Sequence, residues 1–161
     1  MLGGSPPQIT AFMDTDWGSN RDDRHSIGAY VIKIGCGSVS WKSKKQTCVT
    51  LSSMEAEYMA LCQAVKESVW MVDFLRDLGI LIHDIMVVNS DNQGAIALAK
   101  NPVFHDHLKH IDIQFHFTCK LVKNRRIGLN YVPMQEMVAD ILTKALPHAQ
   151  HKYLAREVGL F

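Results

Sequence analysis

The sequence predicts an α/β domain, a mixed β-sheet with helices packed on it. Three observations point there. Short β-prone runs at Gln8 to Met13, Ser26 to Gly35 and Ser38 to Lys42 follow one another across turn residues, the pattern of an antiparallel meander. A long helix with apolar residues at helical spacing comes next. After it, Ile85-Met86-Val87-Val88 is a continuous apolar run, which suits a strand covered on both faces, as in the parallel part of a mixed sheet.

In chain order, Met1-Leu2-Gly3-Gly4-Ser5-Pro6-Pro7 has no basic region ahead of an apolar stretch. It is expected to be a linker or a cut within a longer chain, so residues 1–8 precede a domain spanning 9–161. The first strand ends at Asp14-Thr15-Asp16-Trp17, and the polar stretch Gly18 to His25 is a loop. Gly35 and Gly37 turn between the second and third strands. Ser52 followed by Glu55 is a capping box that opens the long helix, which runs to about Leu78. Its stripe is Met59, Ala60, Leu61, Ala64, Val65, Val69, Val72 and Leu75. Ile80 to Asn89 contains the buried strand. Gln93 to Lys100 is a short helix stopped at Asn101-Pro102. The histidine-rich segment Phe104 to Arg126 is helical from Ile111 onward, and Ile127 to Val132 is a strand ended by Pro133. Met137, Val138, Ile141 and Leu142 mark a final short helix, and Pro147 separates it from a helical tail, Gln150 to Val158.

With 161 residues, 47% of them apolar, the chain is one domain able to bury a substantial core. No apolar run reaches the roughly 18 to 20 residues that a membrane helix needs, so no membrane partner is expected. A formal net charge of +1 means that any nucleic-acid surface must come from local patches. Cys36, Cys48, Cys62 and Cys119 have no paired spacing, and buried free thiols in a reducing compartment suit them better than disulfides or zinc.

One charge breaks the long helix's stripe. Glu57 has Ala60, Leu61 and Ala64 at i+3, i+4 and i+7, so its carboxylate leaves from the apolar face. A buried, unpaired carboxylate costs several kcal/mol, so a basic side chain, a metal ion or a proton should neutralise it. Glu55, which shares a face with Met59, Cys62 and Lys66, is employed by the capping box. Three further acids are similarly placed. Asp14 closes the first strand, Asp91 follows the buried strand where α/β sheets bind ligands, and Asp140 lies beside the last apolar stripe. Singly, each has a plainer explanation: a helix cap for Asp91, a turn for Asp14 and Asp16, a solvated charge for Asp140, an ion pair for Glu57. Together they form a candidate two-metal site, since carboxylates are natural ligands of Mg²⁺.

The segments Met13-Asp14-Thr15-Asp16-Trp17-Gly18, Trp41-Lys42-Ser43-Lys44-Lys45-Gln46 and Leu51-Ser52-Ser53-Met54-Glu55-Ala56-Glu57-Tyr58 resemble the ribonuclease H domain of copia-type retrotransposon polyproteins. So do Ser90-Asp91-Asn92-Gln93, Lys109-His110-Ile111-Asp112 and Ala139-Asp140-Ile141-Leu142-Thr143-Lys144, in the same order from about Ile9 to Phe161. The resemblance implies the ribonuclease H-like fold, a five-stranded mixed sheet of order 3-2-1-4-5 flanked by helices. It implies an acidic quartet at Asp14, Glu57, Asp91 and Asp140, and favours Asp14 over Asp16. Two Mg²⁺ ions about 3.5–4 Å apart, replaceable by Mn²⁺, would clamp a scissile phosphate. Asp14 would bridge them, Asp140 would help hold the one that activates water, and Glu57 and Asp91 the other.

The implied substrate is the RNA strand of an RNA–DNA hybrid, recognised through 2′-hydroxyls in the wide minor groove. The implied partner is the reverse transcriptase domain of the same polyprotein, and the implied location a retrotransposon particle in the cytoplasm, or the nucleus. Phosphate contacts would come from Lys42, Lys44 and Lys45 with Asn92, or from Lys120, Lys123, Arg125 and Arg126; a solvated basic turn is the plainer reading of each group. Trp41 is expected in the sheet core. Cellular ribonucleases H carry a histidine before the last catalytic aspartate, where this chain has Pro133-Met134-Gln135-Glu136. His105, His107, His110 and His116 invite a zinc reading, but no cysteine accompanies them at finger spacing, and packing or backbone contacts are favoured. The alternative to an endonuclease is a non-catalytic, domesticated module that binds nucleic acid or a polymerase domain.

Overall fold

A computed structural model describes residues 7–18, 24–47, 49–82, 85–101 and 112–160. Five strands, β1 (Ile9–Asp16), β2 (Ile27–Ile34), β3 (Gly37–Lys45), β4 (Met86–Ser90) and β5 (Ile127–Tyr131), form one sheet in the order β3-β2-β1-β4-β5. The first three pair antiparallel, and β1–β4 and β4–β5 pair parallel. The meander, the parallel half and the 3-2-1-4-5 order all match the sequence expectation.

The strands are longer than their apolar runs suggest at the end where the acids lie. β1 continues through Asp14 to Asp16 because Asp14, Thr15 and Asp16 stay in register with Ala29, Gly28 and Ile27. Asp14 therefore sits inside the strand instead of closing it. β3 likewise continues to Lys45, opposite Ile27. The β2–β3 turn places Gly35 at φ +61°, a conformation that glycine adopts without penalty. β4 starts only at Met86; Ile80 and Leu81, at the head of the expected strand segment, are exposed and outside it. Met86 and Val88 are buried while Val87 is partly open, so coverage of the two faces is unequal.

Helix α1 (Ser53–Asp77) begins at the predicted cap: Ser52 Oγ accepts the Glu55 N–H at 3.2 Å. The Glu55 carboxylate accepts the Leu51 N–H at 2.8 Å, one residue earlier than a capping box requires. At the other end, Ile80 N–H donates to Leu75 O and Gly79 N–H to Arg76 O, both at 2.9 Å, around Gly79 at φ +74°. That is a Schellman stop. Between these ends α1 lays Ala56, Ala60, Leu61, Ala64, Val65, Val72 and Leu75 on the sheet, against Ile9, Ala11, Met13, Tyr30, Ile32 and Val88. Alanines at i, i+4 and i+8 let the helix axis approach closely, and each large side chain buried adds about 1.5–3 kcal/mol.

Helices α2 (Gln93–Lys100) and α3 (Asp112–Lys123) pack beside α1. The expected short helix after β5 is instead a pair of 3-10 turns, Met134–Glu136 and Val138–Leu142, with the second packed on β1, β2 and α4 (His148–Val158). The tail helix starts two residues earlier than expected, directly after Pro147.

Candidate active site

The parallel pairing of β1 and β4 brings their carboxyl ends to one edge of the sheet. The start of α1 reaches the same edge, where Thr15 Oγ1 donates to Ala56 O at 3.3 Å. Two asparagines, Asn89 buried and Asn130 exposed, fix the neighbouring strand ends: Asn89 Nδ2 donates to Ala11 O at 3.2 Å, and Asn130 Nδ2 donates to Asn89 Oδ1 at 3.0 Å.

On this frame Asp14, Glu57 and Asp91 converge, each offering a carboxylate oxygen within 4.8 Å of the other two. Among the described residues this is the one grouping of three acids, histidines or cysteines close enough to share a metal ion. Asp14 is 1% exposed and Glu57 9%. Glu57 Oε2 is buried with no hydrogen-bond partner among the described residues, an orphan acceptor that a cation would satisfy. The donor set is all carboxylate oxygen, which suits a hard divalent cation.

Asp140 lies near Asp14 but outside the three-acid grouping. Lys144 Nζ joins them, 3.1 Å from Asp14 Oδ1 and 3.0 Å from Asp140 Oδ1, and the Thr143 hydroxyl donates to Asp14 Oδ2. Asp140 is 1% exposed, so its reading as a solvated helix charge does not hold. Among the described residues, an ion pair is absent from Glu57 Oε2, where it was the plainest expectation, and present at Asp14 and Asp140.

The titration of these groups follows from crowding. Burial, then repulsion from Asp14 and Asp91, pushes the Glu57 carboxyl up to about 9. Burial and then Asp14 raise Asp140 to about 6 against the opposing pull of Lys144. Asp91 is also raised, first by burial and then by Asp14. Burial disfavours the Lys144 charge, but Asp14 and Asp140 outweigh it and hold its pKa above the ordinary lysine value.

Sequence reasoning assigns Thr143 and Lys144 no role beyond membership of a motif. The available signal is Asp140–Lys144 at i,i+4, a spacing that pairs charges on a helical turn. Asn92, grouped with the phosphate contacts by the sequence, caps α2: its Oδ1 accepts the Ala95 N–H at 3.0 Å. The capping role expected of Asp91 thus falls to its neighbour.

Lys42, Lys44 and Lys45 lie exposed on the edge strand β3 and line a shallow groove with Gly28, Tyr30 and Met59. Ala29, another lining residue, is in register with Asp14 across β1 and β2, so the groove lies one strand away from that acid. Trp41 is 63% exposed, contrary to its expected core position, because β3 is an edge strand whose far side is not covered there. Within the second basic group, Arg126 is remote. Arg126 pairs with Asp73 at 3.3 Å, and Asp73 lies 16 residues along α1 from Glu57, about 24 Å at 1.5 Å per residue. His105, His107 and His110 lie outside the described residues; His116 is exposed with its ring edge-on to Phe115. Cys62 and Cys119 are free and buried as expected, whereas Cys36 is exposed in the β2–β3 turn.

Over 159 residues the chain is 36% identical to the retrovirus-related Pol polyprotein from transposon TNT 1-94 of Nicotiana tabacum, a match covering 99% of this chain. The corresponding polyprotein from transposon RE1 of Arabidopsis thaliana is 36% identical over 157 residues, or 98% of this chain. The chain belongs to the copia-type Pol polyproteins, as their ribonuclease H-like domain. This Pol domain spans about a tenth of the length of those relatives, 12% and 11%. No family profile matches it. Its fold is that of solved ribonucleases H. LC11-RNase H1 in complex with an RNA/DNA hybrid superposes with a TM-score of 0.59 at 16% identity, over 84% of this chain and 93% of that one.

Proposed function

We propose that the domain is an endonuclease that hydrolyses the RNA strand of RNA–DNA hybrids, with catalysis dependent on Mg²⁺ or Mn²⁺. The observation that carries this reading is the convergence of Asp14, Glu57 and Asp91 at the carboxyl ends of two parallel strands, with a Glu57 oxygen orphaned among them. Nothing in folding requires three mutually repelling carboxylates at one point, and burial makes their repulsion costly.

Asp14, Glu57 and Asp91 would hold one divalent cation, and Asp14 with Asp140 would face the second position of a two-metal arrangement. When bound, such ions polarise the scissile phosphate, lower the pKa of the attacking water and stabilise charge on the leaving 3′-oxygen. The chain's own part is positional. Asn92 caps α2, which leaves Asp91 to the site; Thr15 ties β1 to α1; Thr143 orients Asp14. The basic groove of Lys42, Lys44 and Lys45, one strand away from Asp14, would hold backbone phosphates, and exposed Trp41 on the same strand offers a stacking surface. The relatives are Pol polyproteins, so we place the activity beside a reverse transcriptase region, in a cytoplasmic transposon particle or the nucleus.

A labelled hybrid incubated with Mg²⁺ tests the reading: wild type should cut the RNA strand and Asp14→Asn should not. A folded wild-type protein that binds the hybrid but cuts nothing in either Mg²⁺ or Mn²⁺ would leave the non-catalytic binding module instead.

A further inference from the structure

The four acids form two unequal halves. Asp14, Glu57 and Asp91 bring carboxylate oxygens within 4.8 Å of one another, and one oxygen of Glu57 is orphaned, with no hydrogen bond to Lys144 or any other described residue. Between Asp14 and Asp140 the gap is filled, because the Lys144 ammonium touches both at 3.1 and 3.0 Å. Asp14 is committed at both oxygens, Oδ1 to Lys144 and Oδ2 to the Thr143 hydroxyl. A neutral hydroxyl is compatible with a cation on the same carboxylate, as outer ligands of metal sites commonly are. An ammonium is not neutral; it stands where a cation would.

Formal charge agrees. Four carboxylates and one ammonium sum to -3, so one divalent ion brings the site to -1, whereas a second would make it positive with Lys144 still in place. Lys144 is also well anchored, one turn beyond Asp140 and only 27% exposed.

We propose that Lys144 is a resident cation of the site: its ammonium fills the Asp14–Asp140 half, so the free domain takes up one divalent ion, at Asp14, Glu57 and Asp91, and a second enters only when Lys144 leaves. The inference rests on the metal-centred reading above and assigns Lys144 a positioning role: it sets how many ions the domain holds before substrate arrives.

The test counts ions instead of turnover. The full chain, without nucleic acid, is titrated with Mn²⁺ while free Mn²⁺ is followed by electron paramagnetic resonance, with circular dichroism as the check on folding. Wild type should bind one ion. Lys144→Met should bind two, the second at least about tenfold tighter than in wild type. Lys144→Arg, which keeps the charge, should stay at one. Two ions of comparable affinity in wild type would overturn the proposal even if Lys144→Met failed to fold, and so would a folded Lys144→Met that still binds one. If neither wild type nor Lys144→Met bound Mn²⁺, the metal-centred reading itself would fall.

Discussion

Asn92 Oδ1 accepts the Ala95 N–H at 3.0 Å, and this bond releases the neighbouring Asp91 from capping α2. Adjacent residues thus have separable duties. Asn92→Ala should cost about 1 kcal/mol, the usual worth of an N-cap, and should lower the urea midpoint without abolishing hybrid cleavage. Asp91→Asn should do the reverse. Its carboxyl is raised by burial and by repulsion from Asp14, so removing the charge relieves the metal-free protein while it disables the site. Urea midpoints and hybrid cleavage, measured on both variants, check the pair; a large stability loss in Asp91→Asn would contradict this division.

Glu57 predicts a pH dependence whose sign follows from linkage. Its pKa rises from 4.5 in the unfolded chain to about 9 in the fold, so the folded state holds a proton that the unfolded state has released. Without divalent ions, stability should therefore fall as pH rises through that window, by at most about 1.4 kcal/mol per unit from this group. Asp140, raised from 3.8 to about 6, adds to the fall at the acid end. Lys144, held above its ordinary value, stays charged across the range and adds no slope. Denaturation in EDTA from pH 5 to 9 should show the decline in wild type and a flatter profile in Glu57→Gln. Saturating Mg²⁺ should oppose the decline, since an ion that binds the ionised form stabilises the fold by mass action.

How much of this is legible in the sequence depends on the reach of each signal. The α1 cap, the meander and the parallel β4 follow from local spacing, and the strand order follows only from the family resemblance. Glu57 is conspicuous because three apolar neighbours surround it on one helical face. The extension of β1 through Asp16 is not legible, because cross-strand pairing with Ala29, Gly28 and Ile27 decides it and polar residues hide it. Trp41 misleads because period and apolarity do not say whether a strand is an edge. Lys144 escapes because its partner Asp14 is 130 residues away and only the fold brings them together.

The two basic groups give a contrast in binding. Lys42, Lys44 and Lys45 line the groove one strand away from Asp14, whereas Arg126 of the second group pairs with Asp73, 16 residues along α1 from Glu57. Removing one lysine that neutralises a phosphate should reduce the salt dependence of hybrid binding by about 0.7–0.9 in log-log slope. Lys42→Ala and Lys44→Ala should therefore weaken binding and flatten its response to KCl in fluorescence anisotropy. Arg126→Ala should leave both unchanged; the opposite outcome would move the nucleic-acid surface to the Asp73 end of α1.

Gly28 links the fold to the site most directly. It pairs with Thr15 on β1, beside Asp14, and faces α1, where a Cβ would stand 3.3 Å from Gln46 Nε2 and 3.4 Å from Ala60 Cβ. Gln46 is not free to yield, since its Nε2 donates to Ala56 O at 2.9 Å. A single methyl is nearly accommodated, but the branched side chain of Gly28→Val must push α1 off the sheet and carry Glu57 with it. That variant should lose about 1–3 kcal/mol, as overpacked cores do, and should bind Mn²⁺ more weakly than wild type while still folded. Gly37→Ala supplies the control: nothing lies within 4 Å of its added Cβ, so it should be neutral or slightly stabilising through the unfolded chain. If Gly28→Val lost stability but kept full Mn²⁺ affinity, the close approach of α1 would matter for packing alone and not for delivering the Glu57 carboxylate.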